Sequence, residues 1–124
     1  MLMEKIIKKN VICYKCHFLN GRILKELKKL SRDCELSEFD VFLLYDNSKN
    51  DFKFSDAGLK HVLFRVDDFK EMGYQILSEK AAWYHSDFPL FYFYRQYPNY
   101  QQYWMLEYDL CFNGRWDIFF NFFS

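Results

Sequence analysis

Apolar and polar positions along the chain switch between two periods, and the switches divide it into elements. Asn10-Val11-Ile12-Cys13-Tyr14 is a short β-rich run. From Asn20 the apolar positions Ile23, Leu24, Leu27 and Leu30 recur among lysines at the spacing of one helix face, so a strand leads into an amphipathic helix. Asp40-Val41-Phe42-Leu43-Leu44-Tyr45 is continuously apolar after its first residue and runs into Asp46-Asn47-Ser48, the pattern of a buried parallel strand that opens into a loop. Lys60 to Val66 predicts a third strand. Asp67 to Gly73 predicts a short helix with aspartate at its start and glycine at its end. Asp87-Phe88-Pro89 marks another helix start before Leu90 to Tyr97, and Pro98 ends it. Tyr103 to Leu110 predicts a fourth strand, Asn113-Gly114 a turn, and Arg115 to Phe123 a last helix. Strands and helices in alternation predict an α/β domain with a mostly parallel, Rossmann-like sheet flanked by helices.

Composition narrows the function classes. The 124 residues, with neither a repeat nor a low-complexity linker, fit one domain spanning residues 1–124. Basic and acidic side chains number 17 each, so the basic surface of a nucleic-acid binder is absent. No run approaches the length of a membrane span, and the charged start at Glu4, Lys5, Lys8 and Lys9 lacks the apolar core of a secretion signal; a cytoplasmic location is the expectation. Four irregularly spaced cysteines then read as thiols. The aromatic residues are unevenly spread: 18 of the 28 lie in residues 83–124. A tail that runs Trp116-Asp117-Ile118-Phe119-Phe120-Asn121-Phe122-Phe123 predicts an apolar surface needing cover, from a second copy, a partner chain, a membrane surface or further fold.

Three constellations could carry chemistry. Cys13-Tyr14-Lys15-Cys16-His17 has the C-x-x-C-H spacing of haem attachment and the C-x-x-C of thiol-disulfide exchange. Haem attachment belongs to exported proteins, and zinc lacks a second ligand pair, which leaves a thiol oxidoreductase using Cys13 and Cys16 or two structural cysteines. Tyr45-Asp46-Asn47-Ser48 follows the carboxyl end of a buried strand, where open α/β sheets bind ligands, although these residue types also favour turns for local reasons. In Tyr103-Trp104-Met105-Leu106-Glu107-Tyr108-Asp109-Leu110, two acids occupy alternate positions at one end of an apolar strand. Alternate strand positions share a face, and two carboxylates that close repel unless a cation joins them, so Glu107 and Asp109 read as ligands of Mg²⁺ or Mn²⁺ rather than as an incidental acidic edge.

This last stretch, continued by Phe112-Asn113-Gly114-Arg115-Trp116 and Phe119-Phe120, resembles the Y-W-x-x-E-x-D-x-x-F-x-G-x-W segment of glycosyltransferase-like proteins of the GT-A fold. Trp83-Tyr84-His85, Asp87-Phe88-Pro89-Leu90, Tyr94 and Pro98 fit the same pattern. The resemblance implies a partial GT-A fold, the donor-binding half of a nucleotide-diphosphosugar transferase that serves cell-surface polysaccharide or other glycan synthesis. It implies that Glu107-Tyr108-Asp109 stands for the family's D-x-D motif, with Glu107 and Asp109 on a divalent cation. Glutamate in place of the first aspartate is a departure that keeps a hard oxygen ligand and changes its reach. It further implies contacts to the nucleotide-sugar donor from Asp46, Tyr108 and His17. No catalytic base can be named, and an acceptor half would lie beyond residue 124, so weak or absent turnover is expected of the chain alone. The expectation from a different class is a non-catalytic interaction module that docks through its aromatic surface.

Overall fold

A computed structural model describes residues 6–49, 59–73 and 87–123. The elements are β1 (Asn10–Cys16), α1 (Gly21–Asp33), β2 (Phe39–Asp46), β3 (Lys60–Phe64), α2 (Val66–Glu71), α3 (Asp87–Gln96), β4 (Gln102–Glu107) and α4 (Trp116–Phe122). The four strands form one sheet in the order β3-β2-β1-β4, and every neighbouring pair is parallel. This is the Rossmann-like α/β arrangement that the alternation of elements predicts.

Strand alternation splits the core into two layers. Ile12, Tyr14 and Cys16 of β1, with Phe39 and Leu43 of β2, face one side, where Ile23, Leu27 and Leu30 of α1 and Trp116 and Phe120 of α4 cover them. Val11 and Cys13, with Phe42 and Leu44, face the other side, against Phe69 of α2 and Phe93 of α3. A central strand covered on both faces must be apolar throughout, which explains the unbroken run in β2.

Local chemistry sets the element ends. The Asn20 side chain accepts a 2.9 Å hydrogen bond from the Ile23 amide and so starts α1. Just past the far end of α1, the Lys8 ammonium donates to the carbonyls of Cys34, Glu35 and Ser37 at 2.7–3.0 Å and so holds the turn that follows the helix. The second helix starts earlier than the aspartate pattern predicts. Arg65 is the residue before its first turn, and its amide donates to Asp68 Oδ2 at 2.7 Å, while Ser48 Oγ, on the loop after β2, accepts from the Val66 amide at 2.9 Å. Gly73 follows with φ of 91°, a left-handed conformation that favours glycine.

The carboxyl ends of three strands differ from the sequence expectation by two or more residues: β3 stops at Phe64 instead of Val66, because Arg65 caps and Val66 begins α2. β1 continues past Tyr14 to Cys16, because Lys15 and Cys16 pair with Leu44 and Tyr45 of β2. β4 stops at Glu107 instead of Leu110, because the Leu110 amide turns back to the Glu107 carbonyl at 3.1 Å, and Tyr108 and Asp109 form the turn. The Trp83-Tyr84-His85 motif lies outside the described residues.

The aromatic tail is partly absorbed. Phe120 is fully buried between Phe39, Trp104 and Trp116. Asp33, at the end of α1, accepts the Trp116 amide at 3.1 Å and the Lys29 ammonium at 3.1 Å on the same oxygen, which pins the start of α4 to α1. Ile118 and Phe122, on the outer side of α4, remain 64% and 82% exposed. Among the described residues no helix is long and apolar enough to cross a membrane.

Candidate functional site

From β1 the chain moves outward to β2 and β3, then crosses back to place β4 on the opposite side of β1. The carboxyl edge at such a reversal of strand order is where open α/β sheets bind ligands. A cavity of about 150 Å³ lies there, lined by Lys15, Cys16, His17, Asp46, Glu107, Tyr108 and Asp109. The five residues singled out from the sequence therefore come together: His17 from the end of β1, Asp46 from the end of β2, and Glu107, Tyr108 and Asp109 from the end of β4.

Register explains how three strands contribute. Lys15 lies directly opposite Glu107 on β4 and opposite Leu44 on β2, two positions before Asp46. Lys15 alternates with Val11 and Cys13, Glu107 with Tyr103 and Met105, and Asp46 with Phe42 and Leu44, so all three charged groups belong to one face of the sheet. The Lys15 ammonium is 3.2 Å from Glu107 Oε1; the lysine side chain is 10% exposed and the glutamate 40%. Asp109 reaches the same cavity from the turn and not from an alternate strand position, so its placement rests on the turn at 107–110.

Aromatic rings wall one side. The rings of His17 and Tyr108 meet edge-on at 5.2 Å, and Phe18 closes the group at 4.8 Å from His17 and 5.2 Å from Tyr108. Tyr14 donates its hydroxyl to the Tyr108 carbonyl at 3.3 Å from below, which braces the turn; burial pushes the Tyr14 phenol up to about 12. Asp46 spends part of its capacity locally, since its Oδ1 accepts the Ser48 amide at 3.0 Å. The turn role and the site role of Asp46 coexist.

The carboxylates of Asp46, Glu107 and Asp109 have the donor chemistry of hard divalent cations. Among the described residues no group of three or more His, Cys, Asp or Glu side chains is gathered tightly enough to hold a metal ion by itself.

The C-x-x-C pair does not fit thiol exchange. Cys13 and Cys16 are three positions apart on one strand, so their side chains enter opposite core layers. Both are buried. Burial raises the Cys13 thiol strongly and pushes Cys16 up to about 12, with the Glu107 charge adding to the second effect, the reverse of what activates a thiolate.

The resemblance places Lys15 to His17 in a loop near the base or ribose of the donor; in the structure Lys15 lies inside β1, opposite Glu107. The signal for that placement was a lone cation inside a strand whose other positions are all buried, where a lysine is retained only with a partner. Comparison of the chain with protein-family models, with curated proteins and with solved structures returned no match in any of the three.

Proposed function

We propose that this chain binds a nucleoside-diphosphate sugar together with a divalent cation, as the donor-binding domain of a glycosyltransferase-like protein. One observation carries the reading: residues selected from a glycosyltransferase-like sequence motif and from two separate strand ends line a single cavity at the reversal point of a parallel sheet. Three carboxylates would repel a diphosphate, so the anion requires positive charge, which Lys15 and a cation held by Glu107 or Asp109 supply. The His17 and Tyr108 rings, which line the cavity, offer aromatic surface for a base or sugar ring, with Phe18 packed edge-on behind them. A bound cation would supply charge to offset that on a departing diphosphate, and the protein's own part would be to hold that diphosphate at the strand ends.

A thermal-shift and fluorescence titration with UDP and GDP, each with and without Mn²⁺, tests the reading. The expected result is stabilisation that needs both nucleotide and metal and is lost in Asp109→Ala. No metal-dependent shift, or one unchanged by that substitution, overturns it. The exposed Ile118 and Phe122 favour a second reading, a docking module; light scattering that shows a stable oligomer together with no nucleotide response would select it.

A further inference from the structure

The Lys15 and Glu107 pair has a consequence for the order in which ligands bind. Lys15 is nine-tenths buried, its ammonium sits 3.2 Å from Glu107 Oε1, and both line the cavity. While that contact stands, the carboxylate is neutralised by the lysine and is a poor ligand for a second cation, since any divalent ion approaching Glu107 meets the buried ammonium as well. The lysine in turn is engaged by the carboxylate. We infer that this ion pair is a latch: a diphosphate draws the Lys15 ammonium onto its own oxygens, and the Glu107 carboxylate so released becomes available to the divalent cation. The inference rests on the donor-binding reading above and adds its regulation.

The geometry supports an exchange over a fixed bridge. Glu107 is the last residue of β4 and is 40% exposed, so its carboxylate can reorient within the cavity without disturbing the ladder. Lys15 is anchored between β2 and β4 by its backbone pairing, and only its ammonium needs to move to reach a neighbouring oxygen. The free site sets the Lys15 ammonium against three carboxylates, with Glu107 in contact and Asp46 and Asp109 in the same cavity; with ligands, the lysine and the divalent cation face the diphosphate and those carboxylates. Neither ligand alone satisfies both halves of the broken pair, so each raises the affinity for the other, by the same factor in both directions.

Binding measurements separate the latch from the reading beneath it. Free Mn²⁺ is followed by electron paramagnetic resonance and UDP by calorimetry, on the full chain. For the wild type, UDP is expected to tighten Mn²⁺ binding by about tenfold or more, with Mn²⁺ tightening UDP equally. Lys15→Met, which keeps the length and apolar stem, is expected to bind Mn²⁺ alone about tenfold more tightly than the wild type and to bind UDP more weakly, with the mutual enhancement largely gone. Glu107→Gln leaves the lysine without its carboxylate, so UDP without metal should bind more tightly than to the wild type; this variant tests the latch independently should Lys15→Met fail to fold. Unchanged Mn²⁺ affinity in Lys15→Met, or unchanged metal-free UDP affinity in Glu107→Gln, with wild-type binding of UDP and Mn²⁺ intact, overturns the latch and leaves the donor reading standing. A wild-type chain that binds no UDP at any Mn²⁺ concentration overturns the donor reading and the latch with it.

Discussion

Replacing Asp33 with alanine removes two contacts at once, and their sizes can be worked out. Asp33 Oδ2 accepts the Trp116 amide at 3.1 Å, which caps α4 from another helix, and the Lys29 ammonium at 3.1 Å, four residues back on α1. Loss of a helix cap costs about 0.5–2 kcal/mol. A hydrogen bond to a charged partner contributes about 1.5–3 kcal/mol when buried, and less here because the aspartate and lysine side chains are 14% and 24% exposed. The two contacts share one oxygen, so a combined cost of about 2–3 kcal/mol is expected for Asp33→Ala, against a total near 5–15 kcal/mol for a domain of this kind. In urea, with a slope of roughly 2 kcal/mol per molar, the midpoint should fall by about 1–1.5 M. Asp33→Asn keeps an acceptor for the Trp116 amide and loses the charge, so about half that loss is expected. The pH dependence supplies a second check. Burial works to raise the Asp33 carboxyl, but the Trp116 amide and Lys29 outweigh it and hold it below the ordinary carboxylate value. A lowered folded value means stabilisation that is present above about pH 4, the unfolded value, and is lost as pH falls through the folded one. The gap between wild type and Asp33→Asn should therefore close below about pH 4. A loss under about 0.5 kcal/mol in Asp33→Ala, or a gap independent of pH, would refute the claim that this carboxylate holds α4 in place.

Two further outcomes follow from burial alone. Phe120→Ala removes a fully buried ring in contact with Phe39, Trp104 and Trp116, and a loss of about 3–5 kcal/mol is expected by urea denaturation; a change under about 1 kcal/mol would mean that α4 does not pack on the sheet in solution. A thiol-reactive dye at pH 8 should label exposed Cys111 promptly and leave Cys13 and Cys16 protected until unfolding, since burial keeps both protonated at that pH; rapid labelling of three or more thiols in the folded protein would contradict it.

The sequence carried the element types well and their ends less well. The stripe of Ile23, Leu27 and Leu30 behind Asn20, and the unbroken apolar run of β2, reflect burial on one face and on two, and burial decides both elements. The ends were set by contacts that no local window contains. β1 gains Lys15 and Cys16 through pairing with β2, and β4 loses three residues to a turn braced by Tyr14 of the neighbouring strand β1. The grouping of His17, Asp46, Glu107, Tyr108 and Asp109 was legible because parallel strands bring their carboxyl ends to one edge whatever their separation in sequence. Which charges face one another was not legible, because it depends on strand register, and only the register sets Lys15 against Glu107.

Placing the first strand at the centre of the sheet also shapes how the protein folds. β1 pairs with β2 nearby in sequence, but its other edge waits for β4, so residues 15 and 107 must find each other across most of the polypeptide. Closing so long a loop is entropically costly and brings no reward until the final strand docks, which favours millisecond-to-second refolding over the microsecond range of helical bundles. During synthesis the same order has a practical meaning: until the ribosome has released residues 102–107, one side of β1 stays open for pairing with a wrong chain, and the crevice at the sheet's end cannot yet exist.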